Sequence, residues 1–291
     1  MKVACITIQK GKCYEAIYAT DTDCCECGAG SFEFFRSEIF ILRFPWITPG
    51  TAIGPTWLSP VVGVYGATFL MMATAAAFVF RKTIWLGAVL AAGVLCLGVF
   101  RPGMMEPPTG ERSLSAAVVQ SESCDLATYA DLTRSIAGEA PDLVVWPEYS
   151  LPYDVRQHTY TFAELTNVCG EIGAVFVLGT QTKTGTCVYD WHNTALIMDK
   201  DIVIGEYYKA RPVHMFNDGI AGKDFNPIQT AVGKIAAPIC FDCDYSAVLR
   251  KMTKLGAEYF AVPSFDNANW SKTQHLQHSM FFRLRAAENS R

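Results

Sequence analysis

The sequence predicts a layered α/β domain preceded by a short membrane segment, and three observations carry that reading. Strand-like apolar runs alternate with helical stretches after Arg101-Pro102-Gly103. Ahead of them lie two adjoining stretches without a charged side chain, Phe44 to Phe80 and Thr83 to Phe100. Third, Glu148, Lys209 and Cys240 each stand at the end of a predicted strand, where layered α/β domains place their sites.

Residues 1–43 carry no assignable pattern. The opening MKVACITIQK lacks the basic start, apolar stretch and cleavage site of a signal peptide. Cys13, Cys24, Cys25 and Cys27 cluster there, but no His/Cys pair with finger spacing follows, so no metal site is expected. Residues 44–101 form the membrane segment, of about two helices. Thr56 to Phe80 is long enough for the roughly 20 apolar residues that cross a hydrocarbon core. Pro60, Gly63 and Gly66 predict a bend in its first part, with firm helix from about Ala67. Thr83 to Phe100 is a second candidate of barely sufficient length. Arg81 and Lys82 between them favour the cytoplasmic side, which places everything after Phe100 outside. A buried hairpin in a soluble core is the alternative.

Residues 102–291 read as the α/β domain. Strands are predicted at Ser115–Gln120, Asp142–Trp146, Ala174–Gly179, Ile235–Cys240 and Glu258–Val262, with a hairpin over Thr194–Met198 and Ile202–Ile204. Helices are predicted at Ala127–Ala137, Phe162–Glu171, Tyr245–Leu255 and Ser271–Asn289. Hydrophobic residues make up 51% of the 291 and charged ones only 18%, a deficit that the two charge-free stretches explain. This excludes disorder, collagen-like repeats and a purely polar module. The net charge of −4, without basic blocks, makes nucleic acid a poor partner. Eleven cysteines are an odd number, and a chain of this size builds a core without disulfide staples.

Alone, Glu148 reads as a solvated loop residue, Lys209 as surface and Cys240 as a small core residue. Together they make an activated thiol. A thiol attacks well once a base takes its proton, and a nearby cation and a following helix favour the developing charge. Glu148 would be the base and Lys209 the cation. Cys240 and Cys243 also form a Cys-x-x-Cys, which admits a thioredoxin-like reading that leaves Glu148 and Lys209 unexplained. His275 and His278, three apart, could bind a metal, but none is expected.

The segments DLVVWPEYSLP, YYKARP and APICFDCDYS resemble the three signature blocks of the nitrilase superfamily of carbon-nitrogen hydrolases. The resemblance implies an αββα sandwich with Cys240 as nucleophile, Glu148 as general base and Lys209 as the cation at the tetrahedral oxyanion. The backbone N–H of Phe241 would be a second oxyanion donor. No cofactor is implied.

FPWITPG, GVYGATFL and QHLQHSMFFRLRAAENSR are similar to the apolipoprotein N-acyltransferase family, so the likeness covers roughly residues 44 to 291. That family would place the catalytic domain outside the bacterial cytoplasmic (inner) membrane. Its cysteine takes an acyl chain from a phospholipid as a thioester and passes it to the N-terminal amine of a lipoprotein. Family members carry more membrane helices than the two offered here and continue beyond the equivalent of Asn289. The expectation is therefore a fragment or a divergent member, with a C-terminally incomplete domain. Where the family shows a proline, phenylalanine, glycine and glutamate run, this chain has His214 to Asp218, so the supporting carboxylate is either a displaced Asp218 or absent. Asp218, Asp266, Asn267 and Trp270 are the candidate substrate-binding residues. A membrane-tethered hydrolase of small amides and an inactive binding module remain the alternatives.

Overall fold

The computed structural model describes residues 2–9, 32–40, 45–79, 81–99, 113–187 and 189–291, so the cluster Cys13 to Cys27 and the linker after Arg101 lie outside the described residues. In chain order the elements are β1 (Lys2–Gln9), α1 (Ser59–Val79), α2 (Ile84–Val99), β2 (Ser113–Gln120), α3 (Leu126–Arg134), β3 (Leu143–Val145) and α4 (Thr159–Ile172). There follow β4 (Val175–Lys183), β5 (Trp191–Asp199), β6 (Ile202–Tyr208), β7 (Ile228–Thr230), β8 (Gly233–Ala236), α5 (Ser246–Lys254), β9 (Tyr259–Phe260) and α6 (Lys272–Asn289). The chain divides into two compact units. One holds Met1–Lys10, Pro108–Cys243 and Val248–Trp270; the other holds Gly11–Pro107, Asp244–Ala247 and Ser271–Arg291.

The first unit contains a six-stranded sheet in the order β1 to β6 and a three-stranded sheet in the order β7-β8-β9. Its fold class is the expected mixed α/β. β2, β3 and β4 run parallel, which requires long crossovers, and α3 and α4 supply them. β3 is apolar throughout because a central parallel strand is buried on both faces. Trp146 follows it into the core, stacked on Tyr129 with ring centroids 5.1 Å apart, while its indole N–H donates to Thr133 Oγ1 at 3.0 Å. Phe176, Leu178, Leu196 and Met198 complete this core from β4 and β5. Lys2–Gln9, unassigned in the sequence, pairs antiparallel with β2 over eight residues.

In the smaller sheet the strand expected over Ile235–Cys240 stops at Ala236. Pro238 has no N–H to give a ladder, and the chain then turns through a 3-10 segment, Cys240–Asp244.

In the second unit α1 and α2 form an apolar hairpin joined by the 3-10 turn Arg81–Thr83. Helix starts at Ser59 rather than near Ala67, because Pro60 falls in the first turn where its missing N–H costs nothing. The expected bend is confined to Gly63, whose φ of 59° and ψ of −175° break the ladder. The N–H of Val64 beyond the break donates to Glu288 Oε1 of α6 at 2.7 Å, and Glu288 is itself paired with Arg285. Glu38 Oε1 in the same unit accepts from Ser246 N at 2.8 Å, Ser246 Oγ at 2.9 Å and the Tyr65 hydroxyl at 3.0 Å. Among the described helices α1 alone is long and apolar enough to cross a membrane; α2, at 16 residues, falls short of the two spans expected. Large apolar side chains on both stay in solvent, with Val61 81%, Val79 74% and Trp85 68% exposed.

Candidate active site

Three loops at strand ends, together with β5, build the site. The first begins where β3 ends. Trp146 N still donates to Val177 O on β4, after which Pro147 turns the chain into Glu148. The turn lies against Gly179, where a Cβ would come within 2.4 Å of Pro147 O and 2.5 Å of Glu148 Cα, so only glycine fits. Ser150 Oγ and Leu151 N both donate to Gly179 O, at 2.8 and 3.1 Å. Tyr149, directly after Glu148, sits in the left-handed region at φ 57°.

The second loop follows β6. Lys209 N donates to Asn193 O of β5 at 2.8 Å, and Lys209 O accepts from Gly222 N at 2.8 Å, which fixes the lysine at both ends of its peptide. The third carries Cys240, also left-handed at φ 46°, with its N–H donating to Pro263 O at 2.9 Å. Beneath it Asp242 is fully buried. Its Oδ2 accepts from Ile239 N at 3.0 Å and from the Tyr207 hydroxyl at 2.8 Å, and its Oδ1 from Arg211 N at 2.7 Å. One carboxylate thus ties the cysteine turn to the loop that carries Lys209.

The side chains converge on the ammonium of Lys209. Its Nζ lies 2.8 Å from Glu148 Oε1 and 2.7 Å from Asp218 Oδ2. Asn193 Nδ2 bridges the same two carboxylates, at 2.7 Å from Glu148 Oε1 and 2.7 Å from Asp218 Oδ1. Burial alone would push Lys209 towards the neutral amine, but the charges of Glu148, Cys240 and Asp218 outweigh it and hold the ammonium well above its ordinary range. Burial pushes Asp242 up to about 7, against the Ile239 N–H, the Lys209 charge and the Tyr207 hydroxyl.

A cavity of about 770 Å³ opens onto this cluster, and Glu148, Tyr149, Lys209, Asp218, Cys240 and Trp270 are among its walls. The three residues singled out in the sequence therefore face one space. Of the four candidate binding residues, Asp218 and Trp270 line it. Asp266 is not among the cavity walls but brings a carboxylate oxygen within 4.8 Å of Cys240 Sγ, whereas Asn267 lies outside the lining and its Oδ1 accepts the Asn269 N–H at 2.8 Å within its own loop. Phe241 follows Cys240 in the turn with its side chain buried. Sequence reasoning missed Asn193, Tyr149, Tyr207 and Asp242. The structure shows why Asn193 matters, since a fully buried asparagine must spend its amide on a partner, but its neighbours His192 and Thr194 gave no contrast in the sequence to mark it.

A buried thiol, carboxylate and ammonium around one cavity can perform nucleophilic attack on a carbonyl. Residues 115–291 match the model of the carbon-nitrogen hydrolase family, and the chain belongs to that family of enzymes. Within the family it has distant homology to apolipoprotein N-acyltransferase. It is 24% identical to the Pseudomonas aeruginosa protein of that name over 306 aligned residues, covering 90% of this chain and 59% of that one. The Geobacter metallireducens protein of the same name is 23% identical, over 88% of this chain and 58% of its own length. The chain thus spans about three fifths of the length of these relatives. Among solved structures, a carbon-nitrogen hydrolase from Helicobacter pylori superposes with a TM-score of 0.50 at 21% identity, covering 60% of this chain and 68% of that one, and so shares its nitrilase fold.

Proposed function

We propose that the chain is a membrane-anchored acyltransferase working through a thioester on Cys240. One observation carries the reading: the Lys209 ammonium sits between two carboxylates on the wall of the cavity that also holds Cys240. Two carboxylates against one ammonium leave an excess negative charge in a buried site. In this reading Glu148 takes the Cys240 proton as the sulfur attacks.

In the first half-reaction the sulfur bonds to the carbonyl carbon of an ester while Glu148 takes the thiol proton. Negative charge collects on the carbonyl oxygen, where Lys209 and the Phe241 N–H stabilise it. The carbon–oxygen bond then breaks, and Glu148 returns the proton to the leaving alcohol oxygen. In the second half-reaction an amine attacks the thioester, gives a proton to Glu148, and the carbon–sulfur bond breaks as sulfur regains it. Water in place of the amine would make the same site a hydrolase.

The homology to apolipoprotein N-acyltransferase supports a phospholipid as the ester and the N-terminal amine of a lipoprotein as the acceptor. The length, apolarity and exposure of α1 support a membrane anchor within residues 44–101, ahead of a catalytic domain over 102–291. Arg81 and Lys82 favour the cytoplasmic side of the inner membrane, and an extracytoplasmic catalytic domain would require α2 to cross back as a second, shorter span.

Incubating the membrane-embedded chain with phospholipid labelled in its acyl chains tests the reading. The expected result is a label on Cys240 that hydroxylamine removes and that Cys240→Ala abolishes. A thioester formed only from soluble amides would replace acyl transfer with hydrolysis. No adduct from either would make the domain a binding module.

A further inference from the structure

The two carboxylates around Lys209 are held by unequal sets of donors. Asp218 accepts at both oxygens: Oδ2 from Lys209 Nζ at 2.7 Å and Val213 N at 2.8 Å, Oδ1 from Asn193 Nδ2 at 2.7 Å and the hydroxyl of Tyr149. Glu148 accepts only at Oε1, from Lys209 Nζ and Asn193 Nδ2, and its Oε2 has no hydrogen bond to any described residue. A carboxylate with both oxygens saturated takes a proton only by giving up donors. One with an open oxygen on a cavity wall takes it freely.

Most of the donors on Asp218 also serve other groups of the site or belong to the backbone. The Tyr149 hydroxyl donates to Asp218 alone. The ring lies against the cavity, steeply inclined to Trp191 at a centroid distance of 6.2 Å, and its oxygen lies 2.9 Å from Asn193 Nδ2, whose two protons are shared among this hydroxyl, Glu148 and Asp218. Burial and the charges of Asp218 and Glu148 hold the phenol well above its ordinary range, so it keeps that proton. Its left-handed backbone is a conformation that aromatic residues rarely adopt and that persists where the surroundings over-determine it.

We propose that Tyr149 is a positioning residue that assigns proton transfer to Glu148, by holding Asp218 as a fixed counter-charge to Lys209. The proposal rests on the Cys240 acylation reading above.

The test follows formation of the acyl adduct on the whole chain by intact-protein mass, with p-nitrophenyl butyrate as acyl donor, across pH. Wild type, Tyr149→Phe, Asp218→Asn and the double variant are compared; phenylalanine keeps the ring and removes only the hydroxyl. Tyr149→Phe should slow adduct formation about tenfold, the worth of one hydrogen bond to a charged group. It should also move the acidic limb of the rate profile to higher pH and leave the half-saturating ester concentration unchanged. On the Asp218→Asn background the same substitution should move the limb no further. An unmoved limb, or an equal shift with Asp218 already removed, would overturn the assignment. A rise in half-saturating concentration alone would reduce Tyr149 to a cavity wall. No Cys240 adduct in the wild-type chain would overturn the acylation reading and this inference with it, whereas an adduct with an unmoved limb overturns only the role of Tyr149.

Discussion

Both units of the molecule bury charged side chains, and they do so to different ends. In the second unit Glu288 and Glu38 direct their oxygens at backbone N–H groups, those of Val64 at the helix break and Ser246 at the start of α5. Such carboxylates repair ends that would otherwise be left without a partner. In the first unit Glu148 and Asp218 converge on one ammonium, and Glu148 keeps an oxygen open on a cavity wall. Buried charge alone therefore does not mark a site. What distinguishes the Lys209 cluster is polar capacity left unspent towards a space that a substrate can fill.

The sharpest way to break this contrast is Lys209→Met. It removes the charge that two buried carboxylates share, and breaking a buried ion pair costs about 3–5 kcal/mol. The variant should melt well below the wild type. Any folded fraction should form the Cys240 adduct at least about 100-fold more slowly, because an oxyanion donor is gone. Thermal unfolding followed by adduct mass measures both. Retained adduct formation at the wild-type rate would mean that the ammonium is structural, like its counterparts in the second unit.

Glu288→Ala probes the other side of the contrast. It strands the Val64 N–H and deprives Arg285 of its ion pair, so the expected loss is about 2–4 kcal/mol. Adduct formation per folded molecule should be unchanged. A loss of reactivity at full stability would blur the division of labour drawn here.

How legible these two regions were in the sequence differs for a physical reason. The strands and helices around the site follow local apolar periodicity, and β2, β4, α4, α5 and α6 fall within a few residues of their predicted places. Glu148, Lys209 and Cys240 stood out because strand ends are where such groups collect. The donors that divide Glu148 from Asp218 did not, since Asn193 and Tyr149 are brought to them by pairings across the sheet and by one left-handed turn. β1 escaped notice because its only described strand partner, β2, is more than a hundred residues away. In the second unit the apolar runs were plain, yet the polar groups that hold them, Glu38 and Glu288, lie far from the helices they serve.

Asp242 gives the gentlest test, because it ties the cysteine turn to the Lys209 loop without facing the cavity. Its folded-state value of about 7 stands above the ordinary 3.8, so the folded protein binds this proton more tightly than the unfolded chain. Stability from this group is full below the ordinary value and declines as pH rises towards the folded one. Between about pH 5.5 and 7.5 the decline amounts to roughly 2 kcal/mol. Asp242→Asn removes the titration but also one acceptor for the Ile239, Tyr207 and Arg211 donors. The variant should be less stable at every pH, with a stability profile flatter by that amount across the same window. Chemical denaturation at a series of pH values measures the slope, and an equally steep decline in Asp242→Asn would mean that another group carries it. The adduct rate should fall only modestly, since Asp242 acts on Cys240 through the backbone of Ile239 rather than through the reacting atoms.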